Sequence, residues 1–384
     1  MGTCPANSPQ IEDWIALART DGIGPRLFAR LMERFGSPAQ ALRATAADLA
    51  SVEGIGKDTA ERIVASRGRF DVQAELDLAS RHGVWLVHIQ DPRYPSTLKA
   101  IYDPPPLLYV KGQLLPSHQL AVAIVGSRHC SLYGQEQASR LAYQLAGAGF
   151  TIVSGMARGI DTAAHQGALS VGGQTIAVQG CGLARVFPPE NARLFELICN
   201  SGACVSELPM QYEPLPENFP ARNRIIAGLG IATVVVEAGL RSGALITARS
   251  ALDAGREVMA VPGRVDSPLS KGPHQLIKQG AVLVESAEDV LEALGQIGDC
   301  LKGSLAMVAD PDDDQAKACP PLEGHQKAVY ECLGGEPLHP DQIAAQTGLA
   351  PGQVAAALVY LQVKGLAKGI EGNLFVRRGP VLPL

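Results

Sequence analysis

Short apolar runs alternate with longer amphipathic stretches through the middle of the chain. The runs predict seven strands, at residues 121–126, 150–155, 174–180, 203–208, 232–238, 257–263 and 281–286. The stretches between them, such as 133–148 and 246–254, have the spacing of helices. Strands that alternate with helices predict an α/β fold with a Rossmann-like, doubly wound, mostly parallel sheet. In such sheets ligands bind at the carboxyl ends of the strands.

The N-terminal part is predicted to be helical and contains an internal repeat. DGIGPRLFARLMERFG at 21–36 and EGIGKDTAERIVASRG at 53–68 each join Gly-Ile-Gly to an amphipathic helix. This pattern resembles a tandem helix-hairpin-helix (SAM-like) module. Such hairpins hold nucleic-acid phosphates in some proteins and only pack in others, and packing is the preferred interpretation here. A bridging segment follows at 84–112, where the prolines at 104–106 exclude a long helix.

The last 60 or so residues predict a winged helix, with three short helices and a hairpin in LAKGIEGNLFVRR. The presumed outer face of the third helix is poor in charge, whereas a DNA-reading helix usually carries several Arg or Lys residues. That face comprises Gln353, Ala356, Ala357, Tyr360 and Lys364. A structural or protein-contact role is therefore preferred. The predicted domains are helical 1–82, Rossmann-like DNA-binding 83–297, an acidic linker 298–321 and winged helix 322–384.

Charge is distributed unevenly along the chain, whose formal net charge is −5. Residues 219–280 carry eight Lys and Arg against four acids, whereas 285–323 carry ten acids, including DPDDD at 310–314, against two lysines. The first segment suits an anionic partner and the second a solvated linker. The eight cysteines are scattered without a CxxC pair, so neither disulfides nor a structural metal is predicted. No apolar stretch reaches the length of a membrane span, and no secretion signal is evident, which predicts a cytoplasmic protein without membrane contact.

Three strand ends carry the same chemistry. The segments are GSR at 126–128, SGMARGID at 154–161 and GLRSGALITA at 239–248. Glycines let a ligand approach the backbone, helix-start N–H groups and hydroxyls donate to anions, and arginine pairs with phosphate. Each loop alone also suits an ordinary turn or N-cap, but three on one sheet edge predict a phosphate-binding surface. Its candidate residues are Gly126, Ser127, Arg128, Ser154, Gly155, Arg158, Ser242, Gly243 and Thr247, and Lys271 of the basic segment is a further candidate.

A further candidate is FPARNRIIAGLG at 219–230, which contains Phe219, Arg222, Asn223 and Arg224. Phe219 suits stacking on a base, and Arg222 and Arg224 suit contacts with a nucleic-acid backbone. The alternative interpretation is that Phe219 packs in the core and the arginines form internal salt bridges.

Nucleotide and catalytic motifs are missing from the sequence. It has neither GxGxxG spacing nor GxxxxGK[ST], which argues against NAD and ATP, and no cofactor is predicted. HExxH and GxSxG are also absent, so no catalytic residue is predicted. Asp161 and Glu237 are the two acids placed at strand ends where a base could act. The preferred interpretation is that Asp161 holds Arg158 or a loop N–H group in place.

Together these motifs resemble the DNA-processing protein A (DprA/Smf) family. The resemblance rests on GSR, SGMARGIDTAAH, FPARNRIIAGL, VVEAGLRSGALITARSALDAGREVMAVPG and KGPHQLIKQGA, and extends over some 200 residues that include 91–112 and 181–191. It implies a protein that binds single-stranded DNA with little sequence preference, protects strands that enter during natural transformation and loads RecA recombinase. It also implies a homodimer, with single-strand-binding protein as a further partner. Ala221 stands where a second basic residue is common in the family, which weakens the expected grip on the DNA backbone.

Two other functions remain as alternatives. Related sheets occur in nucleoside monophosphate-processing enzymes of the lysine-decarboxylase-like group, but those carry a PGGxGTxxE motif, and this chain has VEAGLRSGALITA instead. A winged-helix regulator of duplex DNA is the second alternative, and the charge-poor third helix argues against it.

Overall fold

The computed structural model describes residues 5–308, 322, 324–334, 337–364, 366–370 and 374–377. The chain forms two compact units, Met1–Leu305 and Ala306–Leu384. The DPDDD segment at 310–314 lies outside the described residues, as do Cys4 and Cys319. The six described cysteines are all free thiols.

Six short helices open the first unit: α1 (Ile11–Ala18), α2 (Pro25–Phe35), α3 (Pro38–Arg43), α4 (Ala46–Ala50), α5 (Lys57–Ser66) and α6 (Val72–Arg81). Gly24 and Gly56, the last residues of the two Gly-Ile-Gly repeats, are the N-caps of α2 and α5. Thr45 and Asp48 form a capping box that begins α4, because each side chain accepts a hydrogen bond from the other residue's N–H. The predicted helix-hairpin-helix arrangement is confirmed.

These helices share one hydrophobic core with the sheet. The indole of Trp14 in α1 stacks on the imidazole of His88, which lies in the sheet, with ring centroids 4.3 Å apart. The N–H of Ser8 donates to the carbonyl of Leu86 at 3.0 Å, and its hydroxyl donates to Asp91 at 2.6 Å. The helical segment is therefore packed onto the sheet rather than attached to it by a loop.

The sheet has nine strands: β1 (Val84–His88), β2 (Leu107–Gly112), β3 (Ala121–Val125), β4 (Thr151–Ser154), β5 (Thr175–Val178), β6 (Ala203–Ser206), β7 (Ala232–Val235), β8 (Glu257–Ala260) and β9 (Val282–Leu283). Their order is β1-β2-β6-β5-β4-β3-β7-β8-β9, and the seven predicted strands are parallel. β1 and β2 extend the sheet through antiparallel pairing. From β3 the chain adds β4, β5 and β6 on one side, and it then adds β7, β8 and β9 on the other side. Doubly wound folds open a crevice for ligands at such a switch point.

Helices cover both faces of the sheet: α7 (Ser96–Lys99), α8 (Leu132–Gly147), α9 (Ile160–Ser170), α10 (Ala192–Ser201), α11 (Asn218–Leu229), α12 (Gly243–Asp253), α13 (Lys271–Lys278), α14 (Ala287–Ala293) and α15 (Gln296–Leu305). Alternate residues of β3 enter opposite layers, with Ala123 and Val125 in one core cluster and Val122 and Ile124 in the other. The doubly wound α/β prediction is confirmed.

The chain stays helical beyond residue 298, where the sequence predicts the start of the linker. Residues 298–305 belong to α15, whose Leu305 is buried and whose Leu301 packs on the same core cluster. These leucines lie four residues apart, and this spacing places them on one face of the helix.

The second unit contains α16 (Gly324–Cys332), α17 (Pro340–Thr347) and α18 (Pro351–Val363), followed by the antiparallel pair β10 (Ala367–Ile370) and β11 (Leu374–Arg377). This is the predicted winged-helix order. One detail is corrected, because Ala357 is buried with Val354 and Leu361 in the core of the unit and does not belong to the outer face of α18.

Candidate nucleic-acid interface

The GSR loop after β3 is fixed in place by Glu237 at the end of the neighbouring strand. The N–H of Ser127 donates to the carbonyl of Glu237 at 2.6 Å. The Glu237 carboxylate accepts hydrogen bonds from the N–H and the hydroxyl of Ser131, at 2.8 and 2.6 Å. Ser131 is also the N-cap of α8. Glu237 therefore holds the loop that presents Arg128 at the surface.

The loop after β4 is organised by Asp161. Its carboxylate accepts hydrogen bonds from the N–H groups of Gly155 and Ala157, at 3.1 and 3.3 Å. This is one of the two roles expected for Asp161, which binds loop N–H groups and not Arg158. Ser154 is fully buried, and its hydroxyl donates to the carbonyl of Ile124. Because these groups already have protein partners, they shape the loop and leave ligand contacts to its outer residues.

Glycines at these strand ends make room for protein atoms. A Cβ on Gly126 would lie 2.5 Å from the Ile160 side chain, and one on Gly155 would lie 2.7 Å from the Arg222 guanidinium. Gly159 has φ +73°, in the left-handed region that favours glycine. Ile160 and Arg222 thus fill the space that a side chain at Gly126 or Gly155 would need, and whether a ligand contacts these two glycines stays a prediction.

Arg222 is buried beneath the loop after β4. Its guanidinium donates to the carbonyls of Gly155 (2.6 Å) and Val178, and its Nε donates to Asn223 Oδ1 at 3.2 Å. Burial lowers the pKa of Arg222 to about 10, and the nearby Asp161 carboxylate opposes that shift. The residue is only 5% exposed. Its geometry favours the internal role over contact with a nucleic-acid backbone.

Arg224 also has internal partners. It forms salt bridges with Glu207 and Asp103, the latter at 3.5 Å. Burial raises the pKa of Glu207, and Arg224 counteracts that rise. The alternative of an internal salt bridge is therefore the one that the geometry favours for Arg224.

The loop after β7 forms the start of α12. Ser242 caps that helix by accepting a hydrogen bond from the N–H of Ala244. The amide of Asn223 donates to the carbonyl of Gly243 at 3.1 Å, and the buried Thr247 hydroxyl donates to the same oxygen. None of these residues lines the cleft described below. Lys271 begins α13, and its ammonium donates to the carbonyl of Val265, so the structure does not bring it to the cleft either.

An open cleft lies at the carboxyl ends of β3, β4 and β5. It is lined by Arg128, Gly155, Ala157, Arg158, Gln179, Phe187, Pro188 and Phe219. The Arg128 guanidinium lies over the Phe219 ring, with Cζ 4.8 Å from the ring centroid, and the Phe187 ring is 5.6 Å from Phe219. Arg158 forms an exposed salt bridge with Glu190 at the rim. Cations thus stand beside aromatic rings at the edge of the sheet.

The sequence did not single out Phe187 and Gln179 as site residues. Gln179 directly follows β5, so the rule that predicted the other strand-end residues applied to it too. Phe187 lies in the loop between β5 and α10, where its peptide bond to Pro188 is cis, and the sequence carried no direct signal for it. Among the described residues, no group of three or more His, Cys, Asp or Glu side chains could hold a metal ion. Within the same residues, no helix is long and apolar enough to cross a membrane.

Comparisons with known proteins assign the chain to a family. The model of DNA recombination-mediator protein A matches residues 85–295, that of the DprA winged helix domain matches 313–373, and that of the SAM-like helix-hairpin-helix tandem matches 15–68. Protein Smf of Synechocystis sp. is 37% identical over 97% of this chain and 100% of its own length. DNA processing protein DprA of Streptococcus pneumoniae is 48% identical over 53% of this chain and 72% of its own length. The X-ray structure of DprA from Streptococcus pneumoniae aligns with a TM-score of 0.65 at 38% identity, covering 73% of this chain and 97% of that one. The chain therefore belongs to the DNA recombination-mediator protein A family, which includes the proteins named DprA and Smf.

Proposed function

We propose that this protein binds single-stranded DNA with little sequence preference along the carboxyl edge of its sheet, protects entering strands and helps to load RecA recombinase during natural transformation. Family membership supports the link to DNA processing. The cleft supports the single-stranded form, because unpaired bases expose ring faces that duplex DNA keeps stacked.

The observation that carries this proposal is the pairing of Arg128 with Phe219. The guanidinium lies 4.8 Å from the ring centroid, at the mouth of the cleft. A cation beside an aromatic ring suits a nucleotide, since arginine pairs with phosphate while the ring stacks on a base. Stacking tolerates every base, which agrees with weak sequence preference.

The acids at the sheet edge support binding without turnover. The Asp161 carboxylate accepts two loop N–H groups, and the Glu237 carboxylate accepts both hydrogen bonds from Ser131. A carboxylate committed to the scaffold is poorly placed to move a proton on a ligand. Incubation with nucleoside monophosphates and single strands, with and without Mg²⁺, should release no base and shorten no strand. Product that disappears in Asp161→Asn or Glu237→Gln would favour an enzyme instead.

Fluorescence anisotropy over a salt series tests the binding proposal. We expect a labelled single strand to bind more tightly than the matching duplex and to weaken as salt rises, because phosphate contacts release counterions. Arg128→Ala should weaken single-strand binding by about 1–3 kcal/mol, the range for a charge-assisted contact. Arg81→Ala, an exposed arginine on α6, is the matched control and should bind as the wild type does. Equal affinity for both DNA forms would refute the proposal.

The proposed partners need separate assays. RecA ATPase activity on strands coated with single-strand-binding protein should rise when this protein is added, and less so with Arg128→Ala. We also propose that the protein forms a homodimer, which predicts sedimentation at twice the mass of one chain. A protein that binds single strands but leaves RecA activity unchanged would keep the binding proposal and reject the loading role.

A further inference from the structure

Gln179 directly follows β5, and only one of the two polar atoms of its side-chain amide has a hydrogen-bond partner. Its backbone N–H donates to the carbonyl of Val205 at 2.8 Å, which fixes the main chain. The side-chain oxygen accepts a weak hydrogen bond from the Cys181 thiol at 3.7 Å. The side-chain nitrogen Nε2 is buried without a hydrogen-bond partner, and the residue is only 2% exposed.

The surroundings of this amide belong to the candidate cleft. Gln179 lines the cleft together with Phe187 and Phe219. The Phe219 ring packs closely over Gly180, where an added Cβ would lie 2.9 Å from Cδ1. Because Gly180 directly follows Gln179 in the chain, this contact places the Phe219 ring close to Gln179. Gln179 and the aromatic rings thus line the same cleft.

A buried donor without an acceptor destabilises the folded protein, so its presence needs an explanation. A ligand that brings an acceptor into the cleft would satisfy Nε2. A neutral base is a better acceptor for this site than a phosphate. Phosphate charge would pair with Arg128 and Arg158 at the rim. Transfer of that charge to a site lined by Phe187, Phe219 and a neutral amide would cost desolvation free energy.

We infer that Gln179 is a base-contacting residue, whose Nε2 donates to a carbonyl oxygen or ring nitrogen of a nucleobase stacked beside Phe219. The inference rests on the proposed binding of single-stranded DNA. Every base carries such an acceptor, so the contact recognises the presence of a base without selecting its identity. It adds to stacking a directional hydrogen bond that an empty sugar-phosphate position cannot form.

Binding to abasic DNA tests this inference. The probes are a labelled oligothymidylate of about 16 nucleotides and an abasic strand of the same length. Gln179→Met removes the amide while keeping an unbranched side chain of similar size. We expect it to weaken oligothymidylate binding about 3- to 10-fold, the range for one neutral hydrogen bond, and to change binding of the abasic strand less than about twofold. Its melting temperature should equal or exceed that of the wild type, because the unsatisfied donor is gone.

Gln144→Met is the matched control. Gln144 also has a buried amide atom without a partner, but it lies in α8 about 20 Å along the helix from Ser131. Its variant should leave both affinities unchanged. Equal weakening of both strands by Gln179→Met would show a contact with the DNA backbone and overturn the inference, as would unchanged oligothymidylate binding. If the wild type bound no single strand at all, the proposed function itself would fail.

Discussion

Replacing Arg222 distinguishes a structural role from a DNA contact. Arg222→Met removes a guanidinium that donates to two backbone carbonyls and to Asn223. Burial raises the pKa of Asp161 and the Arg222 charge opposes that rise, so the change also leaves the Asp161 carboxyl group buried without its nearby positive charge. Removing one member of a buried charged pair costs about 3–5 kcal/mol. At roughly 2 °C per kcal/mol for a unit of this size, the melting temperature should fall by about 6–10 °C.

Thermal melting and strand binding measured on the same samples decide between the two roles. Arg249→Met, an exposed arginine on α12, is the control and should melt as the wild type does. Asp161→Asn combined with Arg222→Met should be less destabilising than the sum of the single changes, with a coupling of about 1–3 kcal/mol. If Arg222→Met melted within about 2 °C of the wild type yet lost strand binding, Arg222 would be a DNA contact and the structural interpretation would be refuted.

Three further changes have defined outcomes. Glu190→Gln should free the Arg158 guanidinium from its salt bridge and tighten single-strand binding, as measured by anisotropy at low salt. The gain should be less than about fivefold because exposed ion pairs are weak. Weaker binding would contradict this prediction. Hydrogen bonds from Arg93 hold the pKa of Asp91 far below its usual range, so their stabilisation is present above the unfolded pKa of about 4 and is lost as pH falls. Asp91→Asn should therefore cost about 2 kcal/mol in urea unfolding at pH 7 and flatten the acid side of the stability profile; an unchanged profile would contradict it. Deletion of 306–384 should leave strand affinity within about 10-fold of wild type, because the cleft lies wholly in the first unit; a larger loss in a folded truncation would move the binding site.

The parallel strands were predictable from sequence because strands buried on both faces need continuous apolar runs, such as AVAIV at 121–125. β1 and β2 were not predicted. The prolines at 104–106 indicated an irregular segment. They lie in the connection between β1 and β2, and β2 begins directly after them, at Leu107. β2 also pairs with β6, about a hundred residues later in the chain, and local sequence does not reveal a pairing of that kind.

The candidate site was predicted by residue type more reliably than by role. Arg128 and Phe219 do meet in one cleft. Arg222 and Arg224 belong to the same motif, yet the guanidinium groups of both bind acceptors inside the protein. The reason is that residues 222–229 form the buried part of α11, in which only Arg224 is partly exposed. A basic residue in a sequence does not show whether its guanidinium faces solvent or a carbonyl, and that depends on packing between distant elements.

The shared core of the helical segment and the sheet affects the order in which the chain folds during its synthesis. Trp14 and Leu31 belong to the same hydrophobic cluster as Cys204 and Met210, almost two hundred residues later. The faces of the first helices that contact these residues therefore stay unburied until most of the sheet has been synthesised, whereas contacts among the helices, such as the stacking of Trp14 on Phe28, can form earlier. During that interval the nascent chain exposes those faces, so the N-terminal end, although made first, is among the parts that reach their final packing late.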